Sequence, residues 1–151
     1  MHFQNEKPQM IEINLALFAF VINFVWEMLQ MPLFEFPAQS SLAQMNLVCV
    51  QASAGDALMV VVAFWIVAAI QRDRSWILHP SIRSLVLFLV PGIIMTIAFE
   101  AMATGPLHRW AYTEAMPTLP VLGTGVAPLA QWLILPLILV YVVKRQIRQS
   151  R

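Results

Sequence analysis

Ala57 to Ile70 is an unbroken apolar run, ALMVVVAFWIVAAI, followed at once by Gln71, Arg72, Asp73 and Arg74. As a helix this run is only about 21 Å long, whereas the hydrocarbon core of a bilayer is about 30 Å thick. A helix built on it must therefore reach back through Gly55 to about Leu47 to cross. That extension draws Asp56 into the membrane.

Three further stretches have the same character. The first runs from about Ile11 to Met31 and ends at Pro32, interrupted by Glu12, Asn14, Asn23, Glu27 and Gln30. A cleavable leader would carry a basic flank and a small-residue cleavage site; Glu12, Asn14 and Glu27 stand there instead, so a retained span is expected. The third covers about 84–102, with Pro91-Gly92 predicting a kink near its middle. The fourth covers about 121–143 and includes Pro128 and Pro136. With 60% hydrophobic and 11% charged residues, against about 25% charged in soluble domains, the 151-residue chain is expected to form one all-α, four-span membrane bundle.

The basic residues orient it. Lys7 precedes the first span, Arg72, Arg74 and Arg83 separate the second from the third, and Lys144, Arg145, Arg148 and Arg151 follow the fourth; only Arg109 falls on the other face. Positive residues favour the cytoplasmic side, so both termini are expected inside. A bacterial inner membrane is the expected location.

Folded this way, separated polar residues share a depth. Asn23, Glu27 and Gln30 lie on one helical face by their spacing of four and three. Asp56, Glu100 (with Thr96 and Thr104 a turn away) and the stripe Thr124, Pro128, Gln131 converge on the same outer half. Carboxylates at such depth are costly and face the bundle interior, which makes them functional candidates. The bland alternative is hydration near the interface or simple cross-helix bonding. In one water-poor pocket, Glu27, Asp56 and Glu100 would supply a proton donor beside an ionised acceptor. That arrangement suits acid-base catalysis or proton-coupled transport equally.

The outer segment His108-Arg109-Trp110-Ala111-Tyr112 adds a second signal. Arg109 could pair with Glu100 or Asp56, or hold an anionic headgroup, while Trp110 and Tyr112 suit interface anchors. His108 is a weaker candidate for acid-base work or metal binding, and His2 and His79 read as solvent or interface residues. The two halves echo one another: Trp26-Glu27 with Pro32-Leu33 against Phe99-Glu100 with Pro106-Leu107, as in a parallel repeat of hairpins. The single cysteine, Cys49, excludes an internal disulfide and a cysteine-built zinc site. Haem-ligating histidine pairs, a GxSxG elbow and a phosphate-binding P-loop are missing from the sequence.

The residues Phe99-Glu100, Thr104-Gly105-Pro106, Trp110-Ala111-Tyr112, Pro120 to Gly123, Val126 to Leu129 and Trp132 resemble the layout of carotenoid-biosynthesis membrane proteins of the hydratase and lycopene cyclase types. The likeness covers about residues 99–132, without the paired acids after proline found in the cyclases. It implies a long isoprenoid substrate, Glu100 as an acid and Trp110 and Tyr112 as wall residues.

Three readings follow. The first is a membrane-embedded enzyme acting on a lipid-soluble substrate, with Glu27, Glu100 and Asp56 catalytic and Asn23, Gln30, Arg109, Trp110, Tyr112 and Gln131 binding. The second is a small proton-coupled transporter, and the third a non-catalytic subunit of a membrane complex. Expected partners are membrane lipid, a hydrophobic small molecule and a second copy or a larger membrane assembly, with neither nucleic acid nor metal; no cofactor is specified.

Overall fold

The computed structural model describes residues 8–149; Lys7 and Arg151, counted above for orientation, and His2 lie outside them. Four long helices make up the bundle: α1 (Pro8–Gln30), α2 (Leu42–Gln71), α3 (Ile82–Thr104) and α4 (Val126–Gln149). All four are long and apolar enough to cross a membrane. Large side chains such as Leu17 (58% exposed), Leu58 (65%) and Ile94 (61%) point outward, a surface that suits lipid rather than water. The chain is a multi-pass membrane protein.

The helices pack in a ring in chain order, α1 against α2, α2 against α3, α3 against α4, and α4 back on α1. Consecutive helices are joined by residues 31–41, 72–81 and the longer 105–125. The helix starts are written locally. Ser41 caps α2 by accepting from the Gln44 amide while the Gln44 side chain accepts from the Ser41 amide, a reciprocal capping box. Ser81 and Ser84 do the same for α3.

Capping at Ser41 starts α2 five residues before Leu47, where the hydropathy argument placed the entry. The fourth span is corrected more substantially. Residues 121–125, expected in the helix, form a turn instead: Gly123 adopts φ +64°, its amide bonds Leu119, and the Leu119 amide bonds Thr124. Pro128 therefore occupies the first turn of α4, where no amide hydrogen is needed. The helix gains its length at the other end, through Gln149. Pro91 sits within an uninterrupted α3.

The end of the bundle carrying residues 72–81 is plugged by a short 3-10 helix, Trp76–Leu78, all three of whose side chains are buried. Trp76 stacks on Phe64 at 5.7 Å and meets Phe88 edge-on at 5.3 Å, and its indole donates to the Phe64 carbonyl at 3.3 Å. Beside the plug, Arg74 bonds Glu12 at 2.6 Å and lies over the Trp65 ring at 4.6 Å, so the acid near the start of α1 has its counter-charge. Aromatic packing fills this end of the core. Polar side chains are left for the other.

Candidate functional site

Counted from the plugged end at about 1.5 Å per residue, Asp56, Glu27, Glu100 and Gln131 stand roughly 22–29 Å along their own helices. Four different helices thus deliver polar groups to one level. That level lies past the midpoint of a core about 30 Å thick.

Gln131 is the hub. Its side-chain amide nitrogen donates to Asn23 Oδ1 at 2.8 Å, to Asp56 Oδ2 at 2.9 Å and to Glu27 Oε1 at 3.2 Å. An amide has two hydrogens for these three acceptors, so the longest contact is shared. Gln30 contributes a second donor, reaching Glu27 Oε1 at 2.8 Å and Gln131 Oε1 at 3.3 Å. Trp26, one turn before Gln30, fixes it by donating to Gln30 Oε1 at 3.0 Å. Asn23 is oriented by its own bond to the Ala19 carbonyl at 2.8 Å. Asn23, Gln30 and Gln131 are all buried.

Glu27 and Asp56, from different helices, are thus neighbours that accept from the same Gln131 nitrogen. Glu100, at the same level on α3, has its own donors: the Trp110 indole at 3.3 Å and the Tyr112 hydroxyl. Burial, and then the Glu100 carboxylate, push the Tyr112 phenol well above the usual tyrosine range. The Gly125 amide donates to the same hydroxyl at 3.1 Å. Two buried hydroxyls, Thr96 and Thr124, make no hydrogen bond to the described residues; Thr96 is one turn before Glu100.

Tyr112 is positioned by a cap made from the two connections at this end. Phe34 and Tyr112 pair as an isolated antiparallel bridge, with the Glu35 amide on the Ala111 carbonyl at 2.9 Å and the Thr113 amide on Leu33 at 3.0 Å. The Phe34 and Tyr112 rings meet at 5.5 Å. Trp110 and Tyr112 therefore act inward, on Glu100, rather than serving only as interface anchors.

Of the expected site residues, Asn23, Glu27, Gln30, Asp56 and Gln131 form one network, and Glu100, Trp110 and Tyr112 form another beside it. Arg109 joins neither. It is exposed and makes no ion pair with Glu100 or Asp56, because the turn at residues 105–108 carries it to the outer surface; the one ion pair among the described residues is Glu12–Arg74.

Sequence reasoning missed three supports. Trp26 could have been found from its four-residue spacing to Gln30. Gly125 acts through its backbone, which no side-chain pattern reveals. Gly92, read as part of a kink, gives the Trp132 ring its seat: a Cβ there would stand 2.0 Å from the indole. Trp132 adjoins Gln131, so this close approach of α3 and α4 sets the hub's position. No protein-family model, curated protein or solved structure matches the chain.

Proposed function

We propose that this membrane protein is an enzyme that moves protons on a lipid-soluble substrate, with Glu27, Asp56 and Glu100 as its acid-base groups. One observation carries the reading: two half-buried carboxyl groups from different helices, Glu27 and Asp56, accept from one Gln131 amide, at the level of a third, buried acid, Glu100, that has separate donors. Bundle interiors of purely structural purpose gain little from three neighbouring acids, since each carries a desolvation cost.

The chemistry balances without an added redox partner. One carboxyl group gives its proton to a carbon of a double bond, and a carboxylate takes a proton from a carbon next to the resulting cation. The double bond has then moved, and the total number of protons on the site is unchanged. Exclusion of bulk water protects the cation, and the ionised carboxylates stabilise it electrostatically. The likeness of residues 99–132 to carotenoid-biosynthesis membrane proteins makes an isoprenoid chain the preferred substrate class, with Glu100 among the acids and Trp110 and Tyr112 along its wall. In this reading the basic end faces the cytoplasm of a bacterial inner membrane, and the acids sit toward the outer leaflet.

The test compares lipid and pigment extracts from cells making the wild type, Glu27→Gln and Glu100→Gln proteins at matched levels. Each variant should lose one apolar product and accumulate its precursor. Identical profiles, together with substrate-dependent proton uptake in vesicles that Glu27→Gln abolishes, would establish a carrier instead. A periplasmic reporter fused after Arg151 should be inactive; activity there would reverse the orientation.

A further inference from the structure

Above the Glu100 site, the two connections leave a groove of about 400 Å³ between residues 35–37 on one side and Thr104 and residues 108–111 on the other. Its place is set by the ends of α1 and α3, so it lies at the level of the membrane interface. Two opposite charges line it, Arg109 and Glu35. Both are exposed, and they do not pair with each other: the one ion pair among the described residues is elsewhere. Two aromatic residues, Phe36 and Trp110, line it as well.

We infer that this groove binds the zwitterionic headgroup of an ethanolamine-type phospholipid or similarly headed amphiphile. The guanidinium of Arg109 suits a phosphate, which it can engage through two parallel N–H bonds. Glu35 suits a primary ammonium, and aromatic rings favour a cation on their faces. Each charge answers one half of the ligand, whereas an anion alone would meet Glu35 with repulsion. Trp110 joins the groove to the buried acids, lining the groove while its indole donates to Glu100. A headgroup held there leaves its chains beside the bundle at the depth of Glu100. This assignment goes beyond the proposed function by placing a specific lipid beside its reaction site, and only for a catalytic consequence does it rest on that reading.

The experiment is native mass spectrometry of the full chain released from nanodiscs containing equal amounts of phosphatidylethanolamine, phosphatidylcholine and phosphatidylglycerol. The wild type should retain the ethanolamine lipid over the other two. Arg109→Gln should reduce that retention about tenfold, as loss of a charge-assisted phosphate contact predicts. Glu35→Gln should erase the preference over phosphatidylcholine, whose ammonium carries no hydrogen to donate. Both residues are exposed, so the variants should fold, and Arg109→Lys should restore part of the binding.

Soluble glycerophosphoethanolamine in excess should leave the lipid bound; its displacing the lipid would identify a water-soluble ligand and overturn the lipid assignment. Equal retention of the three lipids, or retention unaffected by Arg109→Gln, would overturn the site itself. The two failures are separable. Selective retention with an unchanged product profile in Glu27→Gln removes the chemistry and leaves the headgroup site, and the converse removes the headgroup site alone.

Discussion

The Gln131 side-chain amide donates to the Asp56 carboxylate at 2.9 Å, tying α4 to α2 across the diagonal of a ring in which these two helices are not neighbours. One amide thereby holds together groups from three helices, since it also donates to Asn23 and Glu27 of α1. Carboxylates alone could not do this, because ionised acids only accept.

Gln131→Leu removes this donor from Asn23 Oδ1 and Asp56 Oδ2. A buried acceptor left without a partner costs about 1–3 kcal/mol, so the unfolding midpoint in detergent should fall clearly. Gln131→Glu should fall further, because it places another acid among the acceptors. A midpoint unchanged by Gln131→Leu would show that the hub does not hold the bundle.

Gly92→Ala drives a methyl group into the Trp132 ring, 2.0 Å from its Cε3 atom. Overpacking of this kind costs about 1–3 kcal/mol, and pushing Trp132 away also displaces Gln131. The variant should lose stability together with any activity that depends on Glu27 and Asp56. Trp132→Leu should be destabilising in the wild type but should recover stability in the Gly92→Ala background. Simple addition of the two losses would refute the packing argument.

The four-helix architecture was legible because apolar length is a property of the chain itself. The level of Glu27, Asp56, Glu100 and Gln131 followed from counting along helices of fixed rise. The helix ends were less legible: hydropathy places the lipid, whereas Ser41 and Gly123 place the caps and turns. The pairing of Arg109 with Glu100 or Asp56 did not form for a related reason, since its side chain's direction depends on the turn at 105–108 and not on its charge. The inward role of Trp110 and Tyr112 depends on the Phe34–Tyr112 bridge, a contact between residues far apart in the chain. Composition could show only that aromatic residues suit an interface.

Tyr112 and Trp110 both donate to Glu100, and a cycle of substitutions can separate their contribution from local packing. Tyr112→Phe should cost about 1.5–3 kcal/mol, as for a hydrogen bond to a charged group. In the Glu100→Gln background the same substitution should cost less, since the partner is no longer charged. Equal costs in both backgrounds, measured by unfolding in detergent, would mean that the Tyr112 hydroxyl does not depend on the Glu100 charge.

Tyr112 also predicts an alkaline signature. Burial, reinforced by the Glu100 carboxylate, raises its folded-state pKa above the ordinary value, which is about 10 for an unperturbed tyrosine. The protonated phenol is thus favoured by folding. Its contribution to stability is fully present below the unfolded pKa and is lost as pH rises through the folded one. The chain has two tyrosines, so Tyr141→Phe leaves Tyr112 as the sole phenol to follow by tyrosinate absorbance. In the folded protein that absorbance should stay low at pH values near 10, and it should appear on unfolding at the same pH. Glu100→Gln should move the folded titration downward by removing the carboxylate that opposes the phenolate. Half-titration near 10 in the folded Tyr141→Phe protein would show that Tyr112 faces solvent and is not enclosed against Glu100.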